Sequence, residues 1–420
     1  MVEFHFIGDV DEISDEQRKF ISDIVEKRGF KNVNIKIQPV GKAGDNYAAS
    51  VKRIIVENDG ESFKMIAKIA PKSEMRRAVG YVNNYFRNEQ VMYTEVLPKF
   101  AELEKNADIP EEERLRYAKC YGTYMKEPNE IILLEDLEVP GFKILDRFIP
   151  LTDDTVRLIL KNLAMLHSLS YVLKYQETET FEKFCESLVN FWLLMANIPE
   201  MTDYFDKLDA DVQMLIDDEK YKNALKHAGK QLLPRAAELA EIDSSTKFSV
   251  IKQGDPWTNN IMFRLEDDRT IECCMIDYQL STLSSPVADI HYMIFNCTDH
   301  ATRAKHFHDW IDYYHTQLNN NLAKFGLKIE DVYPRHQLDA DLKSYIKVSL
   351  GQAVMLASVL VRDSEDAAKL TDAMNSADSS GSMEEMIEQT KVSGLGPETI
   401  KKFKTRLQGV VDSFIEFGYL

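Results

Sequence analysis

Lys252-Gln-Gly-Asp255-Pro-Trp-Thr-Asn-Asn260, followed after an apolar run by Ile276-Asp277, is the most informative stretch of this 420-residue chain. An aspartate and an asparagine lie five residues apart in a short turn, and a second aspartate ends the next apolar run. Phosphoryl transfer from ATP uses this set of groups: one carboxylate orients the attacking hydroxyl, and an amide and a second carboxylate hold Mg²⁺. The spacing predicts Asp255 as the catalytic residue and Asn260 and Asp277 as the metal ligands.

An ordinary turn is the alternative interpretation of this segment. Gly-Asp-Pro is a common turn sequence, and the Asn260 side chain could cap it. The surrounding pattern favours the catalytic interpretation, because strand-like runs at 248–251, 261–265 and 271–276 flank the turn and end in a hairpin. Such a hairpin would bring Asp277 back to Asp255.

The first third of the chain predicts a small antiparallel sheet that carries one inserted helix. A helix is predicted over residues 12–28, and the apolar residues from Asn83 to Leu103 recur at helical spacing. Alternating or apolar runs typical of strands occur at 33–37, 51–56, 63–69, 117–124 and 131–134.

Beyond the joint Glu135-Asp-Leu-Glu-Val-Pro-Gly141 the pattern is mainly helical. A helix is predicted from Thr152, and further helices are predicted within 179–198, 208–240, 286–297, 302–325, 339–362 and 397–418. Residues 364–396 have few large apolar groups and are predicted to form a mobile surface excursion.

These patterns predict an α+β chain with a bilobal, protein-kinase-like fold. The expected parts are an N-terminal ATP-binding lobe (1–134), built on a small antiparallel sheet, and a hinge (135–141). A large, mainly helical lobe (142–420) would carry the catalytic residues and the acceptor site.

Lys68 and Glu89 are predicted to form an ion pair that positions the lysine on the ATP phosphates. Lys68 stands late in an apolar strand, where an unpaired ammonium would be costly. Glu89 lies within the apolar spacing of the inserted helix, so it is also expected to be buried. An ion pair would give each of the two buried charges a partner. The alternatives are an edge-strand lysine and a glutamate on a solvated helix face.

Two further segments are predicted to contact ATP. The turn that contains Gly41, Gly44 and Asn46 lies between the first two predicted strands, and its backbone N–H groups could cover the phosphates. An ordinary hairpin turn is the alternative there. In the hinge, the backbone groups of Glu135 and Leu137 are expected to bind the adenine edge. The Glu135 and Asp136 side chains either bind the ribose or have no role in binding.

Several conspicuous residues are predicted to be structural. His167 lies on or beside the apolar face of its helix, and Asp289 could cap a helix or brace the catalytic turn through backbone N–H bonds. Clustered aromatic residues between 181 and 205 could line an acceptor pocket, but core packing suits most of them better. The chain has no zinc-type spacing and no Gly-x-Ser-x-Gly motif.

The composition limits the partners of the protein. A formal net charge of −18 argues against nucleic acid and against an anionic membrane surface, because both need clustered Lys and Arg. No run reaches the ~18 apolar residues of a membrane span. Five cysteines without a C-x-x-C pair, and a start that is not a secretory signal, predict reduced thiols and a cytoplasmic protein. No protein partner is evident, and a small-molecule alcohol is the expected acceptor.

The chain resembles the ecdysteroid kinase-like family, also described as CHK kinase-like proteins, within the aminoglycoside phosphotransferase and choline kinase superfamily. The resemblance runs in order from about residue 40 to 297. It is carried by Gly44-Asp-Asn-Tyr47, Ile66-Ala-Lys68, Phe86-Arg-Asn-Glu89, Leu134-Glu-Asp-Leu137, Leu163-Ala-Met-Leu-His167, Gln253-Gly-Asp255, Ile276-Asp277-Tyr-Gln279 and Ser285-Pro-Val-Ala-Asp289.

This resemblance implies a protein-kinase-like fold and MgATP-dependent phosphorylation of a small-molecule alcohol, such as an ecdysteroid or a similar lipophilic compound. By position, Asp255 is similar to the catalytic aspartate of the family, Asn260 and Asp277 to its metal ligands, and Lys68 and Glu89 to its ATP-positioning pair. Gln253 departs from the family pattern, which usually has histidine there. A glutamine can still hydrogen-bond to nearby backbone and support the turn.

Two alternatives to an ecdysteroid-type kinase remain open at this stage. A choline- or aminoglycoside-type kinase would need carboxylates and an aromatic face to bind a cationic acceptor, whereas a kinase that acts on a steroid would need a deep apolar pocket. A protein that binds nucleotide or ligand without transferring phosphate is the second alternative, and Gln253 is its only support.

Overall fold

The computed structural model describes residues 2–41, 49–58, 60–72, 77, 81–369 and 391–420. Its N-terminal part is a six-stranded sheet with the strand order β1-β2-β3-β4-β6-β5. The strands are β1 (His5–Gly8), β2 (Asn34–Pro39), β3 (Ser50–Asn58), β4 (Glu61–Ile69), β5 (Cys120–Tyr124) and β6 (Ile131–Glu135). The expected α+β class and sheet-containing N-terminal part are confirmed.

The sheet differs from the prediction at its edge, where β1 pairs in parallel with β2 while the other neighbours are antiparallel. The sequence pattern missed β1 because it is short and three of its four residues are exposed. A parallel neighbour needs a crossover connection, and helix α1 (Asp15–Lys27) provides it. Ser14 and Gln17 form a capping box at the start of α1.

The inserted helix is interrupted by a wider turn. It consists of α2 (Val82–Val91), a π-helical turn (Met92–Val96) and α3 (Leu97–Asn106). Pro98 explains the interruption, since its ring would clash with the carbonyl of Thr94 in a regular α-helix. The apolar face of this element, including Phe86, Val96 and Phe100, is fully buried.

The remainder of the chain is mainly helical, with two small sheets at its inner edge. The helices are α4 (Asp153–Gln176), α5 (Thr178–Ser187), α6 (Phe191–Ala196), α7 (Pro199–Leu215), α8 (Glu219–Leu225), α9 (Leu232–Ser245), α10 (Val287–Cys297), α11 (His300–Ala323), α12 (Ile329–Val332), α13 (Arg335–Ser344), α14 (Ile346–Leu360) and α15 (Pro397–Glu416). The small sheets are β10-β9-β7 and β11-β8, formed by β7 (Phe142–Ile144), β8 (Val250–Ile251), β9 (Ile261–Glu266), β10 (Arg269–Met275) and β11 (Leu283–Ser284).

Three predicted helices are divided in the structure, two of them where polar side chains bind the backbone. The helix predicted over 208–240 is divided at Asp218, whose side chain caps α8, and near Gly229, whose N–H donates to Asp209. The helix predicted over 179–198 is divided at Asn190, which caps α6. The helix predicted over 339–362 is divided at Tyr345. Apolar periodicity continues through such short breaks and therefore did not reveal them.

The ends of the predicted surface excursion at 364–396 are packed, contrary to the prediction. Ala367 and Val392 are fully buried. The Val392 and Ser393 N–H groups donate to Asp211 Oδ2 at 2.7 and 3.1 Å, which anchors this segment to α7. The central part of the prediction, 370–390, lies outside the described residues.

Two hydrophobic cores hold the elements in place. The smaller core lies between α1 and one face of the large sheet and includes Ile21, Ile54 and Met65. The larger core joins the inserted helix to the helical part of the chain. In the part of the chain described here, none of the helices is both long and apolar enough to cross a bilayer.

Candidate active site

A cavity of about 380 Å³ separates the large sheet from the helical part of the chain. Its walls come from the start of β3, the middle of β4, the segment after β6 and the hairpin β9–β10. Of the predicted site residues it contains Gly41, Lys68, Glu89, Glu135, Leu137, Asn260 and Asp277. Gly44 and Asn46 lie outside the described residues, so their predicted contact with ATP stays a prediction.

Lys68 lies between two carboxylates from opposite sides of the cavity. Its Nζ is 2.6 Å from Glu89 Oε2 on α2 and 2.6 Å from Asp277 Oδ1. Burial acts to lower the pKa of Lys68, but the charges of Asp277 and Glu89 outweigh it and raise that pKa. Burial also raises the pKa of Glu89, to about 7, against the effect of Lys68. The ammonium therefore remains charged and is held at the inner end of the cavity.

Asp255 lies on the turn before β9, and two side chains hold its carboxylate. Tyr292 on α10 donates a short hydrogen bond to Asp255 Oδ1, and Asn260 Nδ2 donates to Asp255 Oδ2 at 2.9 Å. Burial raises the pKa of Asp255 to about 7, while the bond from Tyr292 acts in the opposite direction. A carboxylate with a pKa near neutrality can exchange a proton with a bound hydroxyl at physiological pH.

Gln253 ties the Asp255 turn to the segment that carries Asp277. Its Nε2 donates to the carbonyl oxygens of Ile276 (2.9 Å) and Asp277 (3.1 Å), and its Oε1 accepts from the Asp255 N–H at 2.6 Å. The backbone of Asp277 has a left-handed conformation, with φ of 60°. Such a conformation is strained for a residue other than glycine and needs support from its surroundings, which the Gln253 amide provides.

Asp289, at the start of α10, holds the turn from the other side. Its two oxygens accept the N–H groups of Gln253 (2.7 Å) and Gly254 (2.9 Å). His167 on α4 places Nε2 3.2 Å from Asp289 and Nδ1 2.8 Å from the Tyr314 hydroxyl. Burial acts to raise the pKa of Asp289, but the His167 bond and the charge of Lys252 lower it overall. A charged Asp289 thus braces the turn, and His167 acts on it only through that carboxylate.

The end of β6 and the segment that follows it line the cavity, while their acidic side chains bind arginines. Glu135 Oε1 is 2.6 Å from Arg116, and its Oε2 accepts the Lys119 N–H at 3.0 Å. Asp136 is 2.7 Å from Arg53 on β3. These contacts occupy both carboxylates, so the backbone of the segment, rather than the Glu135 or Asp136 side chain, is the part suited to an adenine edge.

Asn260 and Asp277 suit a magnesium ion that is shared with phosphate groups. Asn260 uses its Nδ2 for Asp255, which leaves its Oδ1 without a hydrogen bond to the described residues, and both side chains line the cavity. Mg²⁺ prefers oxygen ligands and is usually held by one or two carboxylates together with phosphates and water. Within the described ranges no group of three or more His, Cys, Asp and Glu residues suits a metal ion, and a shared nucleotide ion does not need one.

Three residues that contact the site were missed in the sequence. Tyr292 stands three positions after Asp289 on the same helix, and this spacing could have indicated a shared face. Asn88 on α2 donates to the Gln279 and Ser281 carbonyl oxygens, both at 3.2 Å, and no local pattern predicts such contacts across the chain. Lys252 is the third, since its charge acts on Asp289, and no local pattern predicts this effect.

A known protein family matches the part of the chain that contains most of this site. The model of the ecdysteroid kinase-like family matches residues 43–327, more than half of the chain. This range contains Lys68, Glu89, Asp255, Asn260 and Asp277. No curated protein matches the chain.

Among solved structures, an ethanolamine kinase from Plasmodium vivax matches 93% of this chain and 91% of its own, with 13% identity and a TM-score of 0.41. The GDP complex of wild-type aminoglycoside 2'-phosphotransferase-IIIa matches 90% of this chain and 99% of its own, with 12% identity and a TM-score of 0.38.

Proposed function

The chain belongs to the ecdysteroid kinase-like family of small-molecule kinases, and we propose that it transfers the γ-phosphate of ATP to a hydroxyl of a small lipophilic alcohol, such as an ecdysteroid. One observation carries this proposal: Asp255, Asn260 and Asp277 lie together, connected through Gln253, beside a cavity whose inner end holds Lys68. We also propose the cytoplasm as the compartment, where ATP and Mg²⁺ are available.

In the proposed reaction, the acceptor hydroxyl donates a hydrogen bond to Asp255. The carboxylate holds the oxygen in line with the γ-phosphate and takes the proton as the new O–P bond forms. The bond between the γ-phosphorus and the bridging oxygen breaks, and that oxygen leaves with ADP. Tyr292 and Asn260 fix the rotation of the carboxylate, so that the acceptor hydroxyl can approach it from one direction. Lys68 would leave Asp277 and bind the ATP phosphates, while Glu89 keeps its ammonium in place.

Mg²⁺, when bound, would neutralise the charge of the β- and γ-phosphates. Asn260 Oδ1 and the Asp277 carboxylate are the groups that would hold it. The adenine would lie against the backbone of the segment that contains Glu135 and Leu137, next to the apolar side chains of Val51, Ile66 and Met262.

The experiment that tests this function measures ADP release from MgATP in the presence of ecdysteroids, sterols, choline, aminoglycosides and plant-type alcohols. We expect acceptor-dependent release, and we expect Asp255→Asn to lower it about 10²–10⁴-fold, the usual contribution of a positioned general base. The variant should still bind ATP, because Asp255 does not line the nucleotide cavity.

A matched control is Asp268→Asn, which makes the same chemical change in the exposed turn between β9 and β10. Acceptor-dependent release that is equal in the wild type and Asp255→Asn would contradict the proposed role of Asp255. Release that no acceptor increases would contradict the kinase itself on this panel.

A further inference from the structure

Lys252 is a buried lysine without an ion pair to the described residues, three positions before Asp255. The residue is 5% exposed. No carboxylate lies within 4 Å of its Nζ, and the Nζ has no hydrogen-bond partner among the described residues. An ammonium carries three N–H donors. Burial lowers the pKa of Lys252 in spite of the nearby charges of Asp289, Asp255 and Asp243. The three donors are therefore available to a group that enters beside the side chain.

The Lys252 side chain lines a cavity of about 20 Å³ between α6, α9, α10 and α14. Gln352 on α14 lines the same cavity, is 6% exposed and has no side-chain hydrogen bond among the described residues. Apolar side chains form most of the remaining wall: Trp192, Ala236, Leu239, Ala240, Ala288 and Val348. The cavity can hold one water-sized atom, and its polar lining includes two side chains with unused hydrogen-bonding groups.

The carboxylate in this cavity is already occupied. Asp243 Oδ2 accepts the Ser284 hydroxyl at 2.9 Å, the Ser285 N–H at 3.0 Å and a short hydrogen bond from Tyr345. Burial raises the pKa of Asp243 in spite of these bonds. The unused groups are the Lys252 ammonium, which only donates, and the Gln352 amide, which can donate or accept, and together they suit an oxygen atom.

A row of aromatic side chains connects this cavity with α2. Trp192 in the cavity wall packs on Phe191 with ring centroids 5.1 Å apart, and Phe191 packs on Tyr85 at 5.4 Å. Tyr85 stands one turn before Glu89 on that helix. Lys252 itself joins the cavity to the catalytic turn, because it stands three positions before the catalytic aspartate.

We propose that Lys252, with Gln352, binds an oxygen atom of the acceptor, and that this contact selects oxygen-rich neutral or anionic alcohols over amino alcohols. The inference rests on the proposed function, since it defines the acceptor class of that site. A carbonyl, hydroxyl or carboxylate oxygen would accept hydrogen bonds from the Lys252 ammonium. An ammonium group at the same place would meet a like charge close by, in a region where few water molecules can screen it.

The test compares binding and phosphorylation of 20-hydroxyecdysone, of a 3-hydroxysteroid without other oxygens, and of choline. The variants are Lys252→Met, which keeps the length of the side chain but removes its charge, and Lys347→Met as a matched control on the exposed face of α14. We expect Lys252→Met to weaken the binding of 20-hydroxyecdysone on the order of 10- to 100-fold, as for the loss of a charged hydrogen bond. The binding of the 3-hydroxysteroid should weaken much less, because the single oxygen of that compound is the one that Asp255 would hold.

Three results would overturn the inference: preference of the wild type for choline, equal loss of all acceptors in Lys252→Met, or no binding of 20-hydroxyecdysone. If Lys252→Met does not fold, as judged by circular dichroism, Gln352→Leu replaces it with the same expected selectivity. Preferential phosphorylation of choline by the wild type would leave the proposed kinase intact while removing the role of Lys252. Acceptor binding without any phosphorylation would contradict the kinase, and the binding data would still decide the role of Lys252.

Discussion

The protonation state of Asp255 should control the pH dependence of the reaction. The residue has a pKa of about 7 and must be deprotonated to accept the acceptor proton. We therefore expect kcat/KM for the acceptor to fall below a midpoint near pH 7, with about a tenfold loss for each further pH unit. A rate that stays constant from pH 8 to pH 5 would show that Asp255 is ionised throughout.

Tyr292 provides a way to move this midpoint. Its hydroxyl donates to Asp255, favours the charged carboxylate and so lowers the pKa of that residue. Tyr292→Phe should raise the pKa, and the acid limb should move to higher pH by roughly one unit, since such a hydrogen bond contributes about 1 kcal/mol. Activity lost at pH 7 should return at pH 9. Tyr313→Phe on α11 is a control far from the turn, and a uniform loss at all pH values would contradict this role.

Glu89 should affect both stability and ATP binding through Lys68. Glu89→Gln removes one charge of a buried ion pair, a change that typically costs about 3–5 kcal/mol of folding free energy. Lys68 would then be held by Asp277 alone, so the KM for ATP should rise about tenfold. Glu95→Gln, in the π-helical turn of the same inserted helix, is the matched control because its side chain is 41% exposed. Unchanged ATP affinity in Glu89→Gln would contradict the positioning role.

At the scale of single elements, the catalytic turn depends on Gly254. Its φ of 99° is in the left-handed region, and an added Cβ would meet the backbone oxygen of Leu280. Gly254→Ala should therefore destabilise the protein by about 3 kcal/mol or more in urea unfolding. Gly29→Ala is the control, because Gly29 has a similar φ of 95° with open space around it, and it should cost only ~1 kcal/mol. Equal effects of the two changes would show that the turn can shift.

The sequence predicted elements better than it predicted their joints and distant contacts. Strong apolar periodicity located β3, β4 and α15 within a few residues, since their buried faces repeat regularly. It missed β1 and β7, which are short and largely exposed, and it joined helices that Asp218 and Asn190 separate. The predicted pairing of Lys68 with Glu89 followed from the cost of burying its charge, whereas its contact with Asp277 was not predicted. The contacts of Asn88 could not be predicted, because they depend on how separate elements pack together.

At the scale of the whole molecule, nucleotide binding should stabilise the fold by bridging its two parts. A ligand at 100 times its Kd adds ~2.7 kcal/mol, so MgATP should raise the Tm clearly, and EDTA should remove most of that rise. Asp277→Asn should reduce the MgATP effect, whereas Asp268→Asn in the exposed turn should keep it. A rise in Tm that is insensitive to EDTA would contradict the assignment of Asn260 and Asp277 as metal ligands.

Asn88 determines how freely the inserted helix can move. Its Nδ2 lies within 3.2 Å of the carbonyl oxygens of Val189, Gln279 and Ser281, and its Oδ1 accepts the Val189 N–H at 2.8 Å. Swinging α2 outward would break all of these bonds and leave a buried amide unsatisfied. These bonds tie the helix that carries Glu89 to the segments on the other side of the cavity. We therefore expect that movement of this helix does not switch the enzyme off, and that its output follows the supply of acceptor and the amount of protein made.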